Sequence, residues 1–97
     1  MWSVRFTQAA RAELIEAQDW YEKEAPGLGG RFRAEIEKVV ERIANNPERY
    51  AVVYKSLRRA RLQRFPYALF FSIEDKELMV VACFHSKRDP KRWQARA

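Results

Sequence analysis

Apolar and polar residues alternate over residues 2–6, where the sequence is WSVRF. This period of two is typical of a β-strand with one buried face. Thr7 comes directly after this segment and carries the hydroxyl of an N-cap residue. The sequence therefore predicts a helix that begins there and runs to about Glu24.

Two helical segments are predicted after the first strand. In the first of them, one helix face carries the apolar residues Ala10, Leu14, Ala17 and Tyr21. Residues 26–30 (PGLGG) break this helix. The second helix has an apolar face made of Phe32, Ile36, Val39, Val40 and Ile43. It ends at Asn45-Asn46-Pro47, because proline cannot continue a helix, and a short glycine-rich turn between two such helices predicts an antiparallel hairpin.

The pattern changes to that of strands after the second helix. Residues 57–63, 68–74 and 78–85 are predicted strands, with a tight turn at Asp75-Lys76 between the last two. The third strand (LMVVACFH) is almost entirely apolar, so we expect it to lie centrally in the sheet with both faces covered.

The order of these elements predicts an α+β fold. The fold consists of an N-terminal strand, an α-helical hairpin and a three-stranded antiparallel meander, with the helices packed on one face of a mainly antiparallel sheet. The chain has 97 residues, of which 47% are apolar, and we expect it to form one domain over residues 1–97.

Several classes of protein are excluded by features that the sequence lacks. There is no run of about 18 uncharged apolar residues, so we expect neither a membrane-spanning helix nor a membrane partner. The first residues (MWSVRFTQAAR) have no basic segment followed by an apolar one, so the expected location is the cytoplasm. Cys83 is the only cysteine and no His/Cys cluster has zinc spacing, so no disulfide, metal site or cofactor is predicted.

The charges are divided unevenly between the two halves of the chain. Residues 1–50 contain eight lysines and arginines against nine acidic residues, whereas residues 51–97 contain eleven against four. The whole net charge of +6 therefore comes from the second half. A local excess of this kind favours an anionic partner, such as a phosphate backbone or an acidic protein segment.

Arginines are concentrated in the strand over residues 57–63. Arg59 and Arg61 alternate with apolar residues, so they share one strand face and present two guanidinium groups that match phosphate or carboxylate geometry. Lys55, Arg58 and Arg64 lie nearby in the sequence. The alternative interpretation is an ordinary edge strand whose charges discourage aggregation.

His85 is the only histidine and ends the most apolar strand. Lys87, Arg88, Lys91 and Arg92 follow it in a basic tail. Neighbouring cations disfavour the charged form of an imidazole, and a neutral imidazole can act as a general base. The alternative is a structural histidine that only forms hydrogen bonds.

The aromatic residues of the second half, which include Trp93 in the tail, have two possible uses. They could stack on unpaired bases, or they could fill the core and line a groove for a partner, and we predict the second. Cys83 is predicted to be an inert buried thiol, because no adjacent histidine or carboxylate suggests a catalytic pair.

Taken together, these segments resemble the RelE/ParE toxin superfamily over nearly the whole chain. The opening VRFTQAARAELIEAQDWYE is similar to the first strand and helix of that family, and ANNPERY is similar to its helix-ending Asn/Pro segment. The most specific part is RRARLQRFPYALFFSIEDKELMVVACFHSKRDPKRW. It combines an arginine-rich strand, Phe-Pro-Tyr, an aromatic strand, a turn, an apolar strand and His-x-x-Arg-Asp-Pro.

The resemblance implies a toxin that is encoded in the gene next to a cognate, ParD- or RelB-like antitoxin. In such pairs the C-terminal segment of the antitoxin wraps the toxin, and its N-terminal domain usually binds operator DNA. RelE-like toxins cut mRNA in the ribosome, whereas ParE-like toxins inhibit DNA gyrase without being nucleases. The residues predicted to bind the antitoxin or the target are Lys55, Arg58, Arg59, Arg64, Lys87, Arg92 and Trp93.

The resemblance to the RNA-cutting branch is incomplete in this sequence. It would make Arg61 the sheet arginine, His85 the base or acid, and Arg88 or Lys55 the group that stabilises the phosphate charge. However, no tyrosine follows Tyr67, although several nucleases of the family have one near the C-terminus. We therefore prefer ParE-like inhibition of gyrase, with a RelE-like mRNA endonuclease as the alternative and a non-toxic nucleic-acid-binding module as a third, so enzymatic activity stays open.

Overall fold

A computed structural model describes residues 1–97 of the chain. The elements are, in chain order, β1 (Ser3–Phe6), α1 (Gln8–Glu24), α2 (Leu28–Asn45), a single 3₁₀ turn (Pro47–Arg49), β2 (Val52–Tyr54), β3 (Leu57–Arg61), β4 (Tyr67–Glu74), β5 (Glu77–His85) and α3 (Pro90–Gln94). The predicted α+β class is confirmed, as are the first strand, the helical hairpin and the three strands of the meander.

The helix α1 begins where the sequence predicted it. Thr7 is its N-cap, and the side-chain Oγ1 accepts a hydrogen bond from the backbone N–H of Ala10 at 3.1 Å. This bond satisfies one of the backbone donors that the first turn of a helix leaves without a partner. None of the helices is both long and apolar enough to cross a bilayer.

The helix α2 is capped by a side chain of α1. The two carboxylate oxygens of Glu22 accept hydrogen bonds from the backbone N–H groups of Gly27 and Gly29, each at 3.0 Å. Gly27 has a φ of +87°, and a Cβ atom at Gly29 would lie 2.7 Å from the carbonyl oxygen of Gln18. The tight hairpin therefore requires glycine for a left-handed turn at one position and for close helix contact at the other.

The five strands form one sheet in the order β1-β5-β4-β3-β2. The antiparallel meander of β3, β4 and β5 is confirmed, and β5 lies between β1 and β4. The sheet is mixed rather than purely antiparallel, because β1 pairs with β5 in parallel, from Ser3 beside Glu77 to Phe6 beside Val80. The chain between these two parallel strands contains the helical hairpin and then β2, β3 and β4, so the connection is long enough for a parallel pair.

Besides the 3₁₀ turn, two short elements were not predicted from the sequence. The strand β2 has only three residues and lies at the edge of the sheet, where Val52 is exposed. The helix α3 has five residues, with Asp89 as its N-cap and Pro90 in its first turn. Asp-Pro at the start of a helix is a usable signal, because proline lacks the N–H that would have no partner at that position.

Side chains are buried on both faces of the sheet. The hairpin face, which α1 and α2 cover, is filled by Phe32, Ile36, Val39, Ile43, Leu69, Phe71, Leu78 and Val80. The opposite face, here called the groove face, carries Leu57, Ala68, Phe70, Ala82, Phe84 and Trp93. Burial on both sides confirms the central position predicted for β5, and the groove face is covered in part by α3.

The predicted apolar face of α2 is confirmed, which allows a stability test. Ile36 is 2% exposed, so Ile36→Ala removes buried methyl groups and leaves a cavity. We expect the free energy of unfolding to fall by about 2–5 kcal/mol. Ile15 on α1 is 47% exposed, so Ile15→Ala serves as the matched control and should have a much smaller effect. Urea unfolding of both variants measures this, and equal losses would contradict the described packing.

Candidate functional site

The groove face carries a concave site between β3, β4 and the C-terminal tail, which we define as residues 86–97. This sheet-face groove has a volume of about 530 Å³. Its cationic lining consists of Arg59, Arg61, Arg64 and Arg88, together with His85. Its apolar lining includes Ala68, Phe70, Phe84, Pro90 and Trp93, and no aspartate or glutamate is part of it.

Strand β3 places two arginines side by side in this groove. Arg59 lies opposite Phe70 of β4, and Arg61 lies opposite Ala68. Ala60, between them, is buried on the hairpin face. The alternation of the strand therefore directs the two guanidinium groups over the small and aromatic side chains of β4.

Two other residues that the sequence placed in this cluster lie elsewhere. Arg58 extends to the hairpin side of β3, where Nη1 donates to the carbonyl oxygens of Tyr50 at 2.7 Å and Glu48 at 3.3 Å. Lys55 occupies the left-handed turn between β2 and β3, with its Nζ 5.4 Å from the ring centroid of Tyr54. Neither residue lines the groove, and Arg58 holds the segment before β2.

Trp93 is part of the floor of the groove. Its ring stacks on that of Phe70 with 4.0 Å between centroids and 17° between planes, and the residue is only 7% exposed. Asp89 starts the short helix that brings Trp93 to this position, because its Oδ1 accepts from the backbone N–H of Lys91 at 3.0 Å. The indole therefore packs as the sequence predicted for most aromatic residues, and it is too buried to act as a stacking platform.

His85 lies at the end of β5, beside Tyr67 of β4, with 5.2 Å between the ring centroids. Its Nδ1 accepts a hydrogen bond from the backbone N–H of Lys87 at 3.0 Å. Burial raises the pKa of the Tyr67 phenol above its usual value, so this hydroxyl stays protonated. Among the lining residues, His85 is the only histidine, and no carboxylate accompanies it.

Three cations of the tail that the sequence analysis proposed for the site lie in two places. Arg88 lines the sheet-face groove and its guanidinium lies 3.9 Å from Glu16 of α1 and 5.6 Å from the ring centroid of Phe84. Lys87 and Arg92 line a second, lateral groove between the tail and α1, which Arg88 and His85 also border. The structure therefore brings together Arg59, Arg61, Arg64, His85, Arg88 and Trp93, and it separates Lys55, Arg58, Lys87 and Arg92 from the main part of the site.

A half-buried ion pair that the sequence did not suggest fixes the end of the tail. Arg96 donates to both carboxylate oxygens of Glu13, at 2.9 and 2.6 Å, and also to the carbonyl oxygen of Val81 at 2.9 Å. Glu13 in turn accepts from the backbone N–H of Cys83 at 3.1 Å. We call these four groups the edge clamp. Its hydrogen bonds raise the pKa of Arg96.

One signal for this clamp was present in the sequence. Glu13 lies three residues after Ala10 and four before Ala17, and both alanines are buried. A residue at this spacing belongs to the buried face of a helix. Nothing in the local pattern around Arg96 identifies its partner, because the two residues are 83 positions apart.

Cys83 has the environment of an inert thiol. Burial, with a smaller effect of Glu13, raises its pKa to about 12. The thiol is therefore protonated at neutral pH, and nucleophilic chemistry depends on the thiolate. No group of three or more histidine, cysteine, aspartate or glutamate residues is arranged to hold a metal ion.

Comparison with known proteins adds a family to this geometry. The family described as ParE toxin of type II toxin-antitoxin system, parDE, matches residues 4–90. A solved structure of a chromosomal ParDE TA system from P. aeruginosa has the same fold, with a TM-score of 0.77 and 21% identity over 88% of this chain and 96% of that chain. No curated protein matches the chain in sequence. Because the family match covers the first strand, the hairpin and the strands that form the groove, the chain belongs to the ParE toxin family of type II toxin–antitoxin systems, within the RelE/ParE superfamily.

Proposed function

We propose that this toxin acts by binding DNA gyrase and inhibiting it, and that a ParD-like antitoxin from the adjacent gene neutralises it in the cytoplasm. In this proposal the sheet-face groove receives the C-terminal segment of the antitoxin. The N-terminal domain of the antitoxin is proposed to bind operator DNA, so the complex reaches DNA through the antitoxin.

The side chains that could transfer protons in the groove support a binding protein rather than a nuclease. Cleavage of RNA by its 2′-hydroxyl needs a base, an acid and cations around the phosphate. Arg59, Arg61 and Arg88 supply the cations, but His85 is the only histidine of the lining and no carboxylate accompanies it as a second acid or base. Burial raises the pKa of the Tyr67 phenol, which makes it a poor base and a weaker acid than an exposed tyrosine. The groove is therefore suited to binding an anion, but His85 has no matched second residue there to serve as the other member of an acid–base pair.

The same lining supports an antitoxin segment as the occupant. Its rim is cationic and contains no carboxylate, and its floor is formed by Phe70, Phe84 and Trp93. A segment with acidic side chains on one side and apolar ones on the other would satisfy both parts. Arg59 and Arg61 offer paired donors to carboxylates, and the accessible apolar contact area comes from Phe65, Pro66 and Pro90.

The alternative function is a RelE-like endonuclease that cuts mRNA in the ribosome. One observation favours it, because Arg61, His85 and Arg88 line the same groove, as a phosphate-cleaving site would require. In that case His85 would act as base or acid and Arg88 would stabilise charge on the phosphate. A non-toxic nucleic-acid-binding module has less support, because the chain belongs to a toxin family.

The position of the antitoxin is tested by charge reversal. The double variant Arg59→Glu, Arg61→Glu should weaken the complex, since each lost charge pair in an interface costs about 2–5 kcal/mol. The matched control is Lys38→Glu, Arg42→Glu, which makes the same change in net charge at two exposed positions of α2. Calorimetric titration with the purified antitoxin measures both. A loss of affinity in the control alone would place the antitoxin on the hairpin.

The target is tested with the wild type and two variants of His85. We expect the wild type to arrest bacterial growth and to inhibit supercoiling by purified gyrase, and His85→Asn to retain both effects. Asparagine keeps an oxygen that can accept from the backbone N–H of Lys87, so the turn is preserved, whereas His85→Ala removes this acceptor. Circular dichroism confirms that each variant is folded.

Ribosome-associated mRNA cleavage is measured in parallel with supercoiling. If His85 were the catalytic base or acid, its replacement would lower cleavage by about 10²–10⁴-fold. Message cut at defined codons by the wild type and spared by both variants, with gyrase unaffected, would replace the proposed function by the alternative.

A further inference from the structure

The C-terminal tail is held to the rest of the protein at three places. At its start, the backbone N–H groups of Lys87 and Arg88 both bond to His85, at 3.0 Å each. In its middle, Trp93 stacks on Phe70. Near its end, Arg96 enters the edge clamp. The helix α3 between these points has five residues, which is too short to be stable without such contacts.

The clamp is the attachment that depends on charge. Its charged hydrogen bonds are bidentate, and the Arg96 and Glu13 side chains are 29% and 20% exposed, so solvent screens them only in part. The Arg96 guanidinium also lies 5.2 Å from the ring centroid of Phe84, a residue of the groove lining. The clamp therefore joins α1, the edge of β5 and the tail next to the groove.

We infer that Glu13 is a positioning residue for the sheet-face groove. It does not line the groove, but by holding Arg96 it fixes the tail that presents Arg88 and Trp93 there. Assigning the antitoxin to this groove rests on the proposed function, whereas the effect of Glu13 on the tail does not. The partner that Glu13 influences is the acidic segment that the groove receives.

One substitution in the clamp removes the charge of Glu13 but keeps its hydrogen bond to the backbone of Cys83. In Glu13→Gln one oxygen is kept, and it can still accept from the backbone N–H of Cys83, so the edge of β5 keeps its bond. The charge attraction to Arg96 and the bidentate pairing are lost. The tail should then leave its position for part of the time, and the apparent affinity for a groove ligand falls in proportion to the fraction of chains that remain competent.

A matched control lies one helical turn away. Glu16 is also on α1 and faces the tail, but its side chain is 80% exposed and lies 3.9 Å from Arg88. Water screens such a pair, so Glu16→Gln makes the same chemical change with little expected consequence. Arg96→Lys is the conservative variant on the other side of the clamp and should retain part of the attachment through a single bond.

The first measurement follows the tail without any partner. In a background with Trp2→Phe and Trp20→Phe, Trp93 is the only tryptophan, and its fluorescence reports whether it remains stacked on Phe70. We expect Glu13→Gln to increase quenching of Trp93 by acrylamide and hydrogen exchange in residues 86–97, and Glu16→Gln to leave both unchanged. A Trp93 that stays equally protected in Glu13→Gln would overturn the inference.

The second measurement is a double-mutant cycle with the antitoxin. We expect Glu13→Gln to weaken binding about tenfold in the wild type, as if one tail in ten remained in place. The same loss is expected in an Arg59→Ala background, since Arg59 belongs to β3. In a Trp93→Ala background the tail is already released, so Glu13→Gln should have no further effect. A general loss of stability would instead lower the affinity by the same factor in all three.

The failure of this inference can be distinguished from the failure of the proposed function. If reversal of Arg59 and Arg61 weakens the complex but Glu13→Gln does not, although Trp93 is released, then Glu13 does not position the groove. If neither change affects the antitoxin, the groove is not its binding site. In that case the fluorescence and exchange results alone decide whether the clamp holds the tail.

Discussion

The structure depends on which groups form hydrogen bonds with the backbone along one edge of β5. β5 has nine residues, whereas its parallel neighbour β1 has four and stops beside Val80. The next part of β5 is an irregular step of the sheet, where its pairing with β4 shifts in register. Buried backbone groups without a partner are costly, and here the edge clamp supplies an acceptor and a donor from two side chains. The ion pair between Glu13 and Arg96 thus provides the hydrogen bonds that a longer β1 would form with β5.

The two faces of the sheet differ in how completely they are covered. The hairpin face holds most of the core, and α1 and α2 cover it with closely packed aliphatic and aromatic side chains. The groove face is covered only by a short helix and a tail, so arginines can line it beside an aromatic floor. A small domain can keep an open groove in this way, because its stability comes mainly from the opposite face of the sheet.

Local patterns in the sequence predicted the parts of the fold that depend on neighbouring residues. The Thr7 cap, the apolar face around Ile36 and the meander of three strands all follow from spacing within about ten residues. The parallel pairing of β1 with β5 and the contact of Glu13 with Arg96 join distant segments, and no local period encodes them. For the same reason the alternation along β3 separates Arg58 from Arg59 but does not show that Arg58 donates to the backbone carbonyl groups of Glu48 and Tyr50.

The separation of these contacts along the chain has a consequence for the order of folding. In a nascent protein α1 and α2 emerge together, and their hairpin is closed by local bonds such as those from Gly27 and Gly29 to Glu22. β1 cannot pair until Glu77–Val80 has been synthesised, and Glu13 has no partner until Arg96 has emerged. Contacts between such distant residues form slowly. The apolar side of the hairpin is therefore uncovered during synthesis, and the groove is among the last parts of the toxin to take shape.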